Sequence, residues 1–306
     1  MRHYASSDNG FVELPDEGGA NWINAECPDQ QELALLTDKY HVPEQFINYV
    51  GDPDERPRVD REGDWSITIL RIPTDDNELG VPFSTVPIGI ITRGELIITL
   101  CFRPNEVTDC FVDLTRRHRR SIDNLPDFEL HFIYASVSRY LKDLQIINRN
   151  VNGAERSMES SVKNDTLLTL MRLQKTLVYF NTSLQGMAVM LEHLGDVYSG
   201  KYDRELYDDV DIELRQAINT VAVYTDILES TMNALGSVIS NNVNTIMKRM
   251  TALSIILMVP TLVASFYGMN VDTGMDAVPY AFVAIIGLSA LLVIMAVIWL
   301  RHTRWF

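Results

Sequence analysis

Residues 244–270 read NTIMKRMTALSIILMVPTLVASFYGMN. Lys248 and Arg249 end a polar approach, and the 22 residues from 250 to 271 then carry no formal charge. At ~1.5 Å per residue such a helix crosses a hydrocarbon slab of ~30 Å. Residues 277–300 form a second uncharged run, of 24. Two runs joined by a short loop predict a transmembrane hairpin with spans at about 250–267 and 279–300. Lys248 and Arg249 precede the first span and Arg301 and Arg304 follow the second, whereas the loop carries Asp272 and Asp276 and no Lys or Arg. The positive-inside bias therefore predicts both termini in the cytoplasm and the loop outside, in a cell inner (plasma) membrane. The first ten residues are polar, so the hairpin is not a signal peptide.

Working upstream, Leu214, Ile218, Val221, Leu228, Met232, Leu235, Ile239 and Ile246 keep the three-and-four spacing of a helical seam, with Thr225 and Asn242 at its gaps. No proline falls between residues 200 and 250. The expected element is one helix from about 205 to about 266, ~90 Å long, running from cytosol into membrane. Propensity alone does not hold such a length rigid, so partners along it, most simply copies of the same chain, are expected. A second stripe consists of Asn244, Met247, Thr251, Ser254, Met258, Thr261 and Ser265, spaced alternately by three and four. Its membrane members are small and hydroxylated or a soft methionine, while the other faces carry Leu, Ile, Val and Phe. Small polar groups in a span pack helix on helix or line a watery path, and periodicity alone leaves both readings open. A lining role needs a ring of identical chains. Pro260 removes one N–H inside the span and predicts a local bend.

Past the span come Tyr267, Gly268, Met269 and Asn270. Gly268 permits a tight helix exit, and Asn270 offers a neutral amide oxygen at the membrane mouth. Neutral oxygens suit Mg²⁺ that keeps its water shell, because Mg²⁺ dehydrates reluctantly. The chain here resembles the CorA family of divalent-cation channels. The resemblance rests on Asn244, Met247-Lys248, Thr251, Pro260, Phe266 and Tyr267-Gly268-Met269-Asn270 in order and spacing, and on the basic, aromatic-ended tail 301–306. It covers the whole topology: a mixed α/β cytosolic domain (1–200, helical in its second half), a stalk helix (201–250) and a transmembrane domain with a short basic tail (251–306). It implies a funnel-shaped homopentamer around a pore lined by the first span. Asn270 then forms a ring that binds hydrated Mg²⁺, and Gly268 adds backbone oxygen. Asn244, Met247, Met250, Thr251, Ser254, Met258, Thr261 and Ser265 follow below, with Met247, Met258 and Met250 as apolar constrictions. Many relatives carry Met-Pro-Glu in the loop. This chain has no glutamate there, so Asp272 or Asp276 is left to supply outer negative charge. The intact Gly-Met-Asn favours Mg²⁺, with Co²⁺ or Ni²⁺ also carried. Zinc transport by the same fold and a non-conducting coiled-coil membrane sensor are the alternatives.

The chain has 306 residues, 41 acidic and 26 basic, for a net charge of -15. Residues 1–110 hold 21 Asp/Glu and 8 Lys/Arg, a balance of -13. That acidic front argues against nucleic acid and allows attraction of cations. Cys27, Cys101 and Cys110 form no metal-binding spacing and suit a reducing compartment. Alternation predicts a strand from residue 64 to 72, ending at Pro73, and a hairpin of 86–92 and 95–102 around Arg93-Gly94. Helices are expected at 28–40, 43–50, 128–148 and 167–194. Six carboxylates crowd eleven residues: Asp203, Glu205, Asp208, Asp209, Asp211 and Glu213. They favour a helix N-terminus through its dipole. Alternatively, as the family implies, they belong to a regulatory divalent-cation site between subunits, with Asp209 the preferred residue and Mg²⁺ the regulatory ligand. The basic run Arg116-Arg117-His118-Arg119-Arg120 reads as a solvated turn or as a phosphate contact. No Gly-rich phosphate loop, His-Glu-x-x-His run or Ser/His/Asp grouping is present, so neither an enzyme nor an organic cofactor is expected. The expected partners are copies of the chain itself, membrane lipids and divalent cations.

Overall fold

The computed structural model describes residues 1–7, 10–75, 80–118, 122, 124–160, 164–198, 200–269 and 280–303. They fall into two compact units, Met1–Met232 and Asn233–Phe306. The first unit contains seven strands: β1 (Arg2–Ser7), β2 (Gly10–Leu14), β3 (Trp22–Glu26), β4 (Arg58–Glu62), β5 (Trp65–Asp75), β6 (Phe83–Arg93) and β7 (Leu96–Cys101). They form one sheet in the order β2-β1-β3-β7-β6-β5-β4. Every neighbouring pair is antiparallel except β3 and β7, which run parallel with Trp22 opposite Ile97. The β6–β7 hairpin closes over the expected Arg93-Gly94 corner, Gly94 at φ +60°.

Helices α1 (Gln30–Asp38) and α2 (Glu44–Gly51) follow β3. A capping box starts α1: the Asp29 carboxylate accepts from the Glu32 N–H at 2.8 Å, and Glu32 accepts in return from the Asp29 N–H. Leu36, Phe46 and Val50 from these helices pack with Ile23, Ile67, Ile69, Ile91, Ile98 and Leu100 of the strands. Alternate strand residues build a second layer of core with α3 (Val107–His118), α4 (Leu125–Ser160) and α5 (Asn164–Val197). In it Trp22 meets Phe11, Phe111 and Phe128 edge-on, with centroids 5.0–5.4 Å apart. The Trp22 indole N–H donates to Thr99, whose hydroxyl donates to Asn24, so the buried polar atoms run as a chain.

Two sequence expectations need correction. β5 does not stop at Pro73 but continues to Asp75, with Pro73 opposite Thr85. β4 pairs with β5 only as far as Ile69, so beyond that point β5 is an edge strand, where a missing N–H is tolerated. α4 and α5 also run past their expected ends, to Ser160 and Val197.

Helix α6 (Arg204–Tyr267) is continuous for 64 residues and passes through Pro260. Asp203 caps it, accepting from the N–H groups of Glu205 at 3.0 Å and Leu206 at 3.3 Å. The second unit contains the latter part of α6 and α7 (Ala281–His302). Both helices contain a window long and apolar enough to cross a membrane, and almost none of either window is buried within the chain.

Candidate ion path and cation-sensing site

The seam of α6 divides into two parts. Leu214, Val221, Leu228 and Leu235 are buried. Every residue from 236 to 251 is exposed, including the seam members Ile239 and Ile246. The expected pore stripe is uncovered through this stretch and beyond it: Asn244, Met247, Met250, Thr251, Ser254, Met258, Thr261 and Ser265 are all exposed. Met247, Met250 and Met258 are among the most exposed apolar side chains of the helix, at 63%, 61% and 65%. The hydroxyls are already used as donors. Thr251 donates to the Met247 carbonyl at 2.9 Å, Ser254 to Met250 at 2.9 Å and Thr261 to Leu257 at 2.8 Å. Each hydroxyl proton is thereby turned onto its own helix, leaving oxygen lone pairs to face outward as acceptors, the polarity a cation or its hydration water requires.

At the end of α6 the Gly268 N–H donates to the Ala264 carbonyl at 2.9 Å, and the Met269 N–H to Phe266 at 3.4 Å. Gly268 is not in the left-handed region. A Cβ there would lie 3.3 Å from the Ala264 carbonyl oxygen, a tight contact with the last turn of the helix. Asn270, Asp272 and Asp276 lie outside the described residues, as do Arg119, Arg120 and residues 304–306. Tyr280, at the N-terminus of α7, is 82% exposed and sits at φ +81°, a conformation few bulky residues adopt.

In the first unit, exposed Asp209 lines a cavity of about 160 Å³ with Phe111, Leu114 and Thr115 of α3, His131 and Tyr134 of α4, and Leu206. Burial pushes the Tyr134 phenol up, and the nearby carboxylates of Glu213 and Asp209 push it the same way. His131 and Tyr134 had no sequence signal, because nothing in α4 alone shows which helix it faces. Two other members of the acidic run have local roles: Asp203 caps α6, and Asp211 pairs with Arg215 at 2.7 Å one turn on. Among the described residues no three His, Cys, Asp or Glu side chains of one chain gather as a metal site. Arg116 of the basic run is tied inward, its Nε donating to the Phe11 carbonyl at 3.0 Å. The three cysteines are free thiols.

The model of CorA-like Mg²⁺ transporter proteins matches residues 17–302. The cobalt/magnesium transport protein CorA of Methanocaldococcus jannaschii is 25% identical over 291 residues, covering 93% of this chain and 90% of that protein. The protein of the same name from Thermotoga maritima is 22% identical over 321 residues, covering 100% and 89%. The complete structure of the CorA magnesium transporter from Methanocaldococcus jannaschii superimposes with a TM-score of 0.83 at 22% identity, over 100% of this chain and 98% of that one. An α/β unit, a continuous helix entering an apolar stretch, and a second apolar helix are thus matched from end to end, and the chain belongs to the family of CorA-like Mg²⁺ transporter proteins, a family of transporters rather than enzymes.

Proposed function

We propose that this chain conducts divalent cations, chiefly Mg²⁺ and with it Co²⁺ or Ni²⁺, passively through a pore enclosed by five copies. The observation that carries the reading is the stripe from Asn244 to Ser265, which stays exposed in one chain and leads to the Gly268-Met269-Asn270 exit. Similarity to proteins named as cobalt/magnesium and magnesium transporters supports the choice of cargo. In this reading Asn270 and the Gly268 carbonyl meet the hydrated ion, and the outward lone pairs of Ser265, Thr261, Ser254, Thr251 and Asn244 accept from its water. Met258, Met250 and Met247 narrow the path with apolar groups and close it by excluding water. Mg²⁺ moving down a 100 mV potential releases ~4.6 kcal/mol, enough to drive uptake without ATP. Residues 1–200 are the cytosolic domain, 201–250 the stalk and 251–306 the membrane domain, with both termini in the cytoplasm.

Internal Mg²⁺ closes the channel through Asp209, whose partner lies on the neighbouring copy. Neutralised carboxylates hold the ring shut, and loss of Mg²⁺ lets them repel. Flux of Mg²⁺, Co²⁺, Ni²⁺ and Zn²⁺ into liposomes carrying the purified protein tests the whole reading. Asn270→Ala is expected to abolish high-affinity Mg²⁺ entry while assembly persists, and unchanged entry would overturn the assignment. Zn²⁺ outrunning the other three would move the cargo to zinc. Asp209→Ala is expected to shift inhibition to higher internal Mg²⁺, and an unmoved dose response removes the regulatory role.

A further inference from the structure

Glu129, in the second turn of α4, is 2% exposed. Its Oε1 accepts from the Thr68 hydroxyl of β5 and its Oε2 from the Tyr198 hydroxyl just after α5, each at 2.8 Å. Both donors are neutral. Among the described residues no cation forms an ion pair with it within 4.0 Å. The titratable groups that face it are Arg61 of β4, at longer range, and the Tyr198 phenol; β5 offers only the Thr68 hydroxyl. A wholly enclosed carboxylate with two hydroxyl partners and no counter-charge in contact is a costly species, whereas the neutral acid, donating through one oxygen to one of those hydroxyls and accepting through the other, is not.

The same stretch of α4 holds the far end of the α5–α6 connection. Asp127 Oδ1 accepts from the Asp203 N–H at 3.1 Å, and Asp203 in turn caps α6. Tyr198 and Asp203 are therefore both fastened to carboxyl groups of α4, the first by a partly buried bond to an enclosed carboxyl and the second by an exposed one.

We propose that Glu129 is a proton-operated latch: its neutral carboxyl fastens the α5–α6 connection to α4 and β5, and its ionisation loosens that connection at the start of the helix that carries Asp209. Burial pushes the Glu129 carboxyl up to about 7, and its neighbour lifts the Tyr198 phenol above the ordinary tyrosine range. An opened latch returns the carboxyl to water, where it titrates near its ordinary 4.5. Between those two values the closed form holds the extra proton, so opening grows by about tenfold per pH unit and levels above pH 7.

Hydrogen–deuterium exchange of the full-length protein in detergent, Mg²⁺-free and corrected for intrinsic rates, reads the latch through peptides covering residues 194–210. Wild-type protection there is expected to fall about tenfold per unit up to about pH 7 and then level. Glu129→Gln is expected to remove that slope. An infrared titration of protonated carboxyls gives the midpoint, with the Glu129 band identified by its loss in Glu129→Gln and so separated from the buried Asp143 carboxyl, which is pushed up to about 6. Tyr198→Phe, which deletes a donor to the charged form, moves the midpoint to higher pH. Flat wild-type protection, a slope that survives in Glu129→Gln, or the absence of any carboxyl titrating near pH 7 would each overturn the proposal.

Discussion

Arg71 on β5 has its guanidinium wrapped in neutral oxygen atoms. Nε donates to Thr85 Oγ1 at 3.1 Å and Nη2 to the Thr85 carbonyl at 2.6 Å, while Nη1 reaches the carbonyls of Pro53 and Glu55 at 2.7 and 2.9 Å. The planar fork ties the chain after α2 to β6, and a lysine cannot reproduce it. Arg71→Lys is expected to cost ~2 kcal/mol in thermal unfolding of the full chain while ion selectivity stays put. Glu129 gives the pH counterpart. Its folded value of about 7 lies above the ordinary 4.5, so its contribution to stability is complete below 4.5 and is lost as pH rises to 7. Denaturation at pH 5 and pH 8 should show a loss in wild type that is smaller by ~3 kcal/mol in Glu129→Gln, the buried Asp143 carboxyl, pushed up to about 6, contributing to both. Neither role was legible in the sequence. The partners of Glu129 lie 61 and 69 residues away, and no spacing rule joins a carboxyl in one helix to hydroxyls in a strand and a loop. The stripe from Asn244 to Ser265 was legible because it is local, and a three-four repeat within one helix needs no tertiary knowledge.

Elements meet most tightly at two glycines. Gly10 opens β2 at φ +88°, and a Cβ there would sit 2.6 Å from the Thr115 carbonyl carbon and 2.7 Å from the Arg116 nitrogen of α3. Backbone presses on backbone, so nothing yields. Gly89 of β6 faces α2, where the added atom would meet Val50 Cγ2 at 2.6 Å and Ile67 Cδ1 at 3.1 Å, buried side chains rather than backbone, which must shift within the core to make room. Gly10→Ala is expected to destabilise by ~3 kcal/mol and Gly89→Ala by ~1–2 kcal/mol, and the order is readable from denaturant midpoints of the two variants. The same contrast explains which elements were visible beforehand. β5, β6 and β7 alternate or run apolar over six to eleven residues, and both apolar C-terminal helices declare themselves by length. β1 reads RHYASS and β4 reads RVDRE, polar segments whose strand state comes from pairing, β1 between β2 and β3 and β4 at the sheet edge against β5. α3 escaped because much of its latter half is the charged stretch that reads as a turn.

At the scale of the whole molecule, a single chain leaves α6 unfinished. Its seam is covered as far as Leu235, then its members Ile239 and Ile246 stand 38% and 60% exposed before the long apolar stretch begins. Exposed apolar groups at this spacing fit the proposed ring of copies, in which neighbouring helices would cover them on every chain at once. Ile246→Asp puts a charge into that seam without touching the α/β unit or the stripe at Met247. It is expected to reduce the wild-type oligomer to smaller species in native mass spectrometry, with helix content retained, and to cut Mg²⁺ flux in proportion to the assembly lost. Thr220→Asp, exposed to intermediate degree on the earlier part of the same helix, is the control for added charge alone. If Ile246→Asp assembled like wild type, the stretch from 236 to 251 would owe its apolar side chains to something other than its own copies, and the enclosed path drawn along Asn244, Met247 and Thr251 would lose its walls.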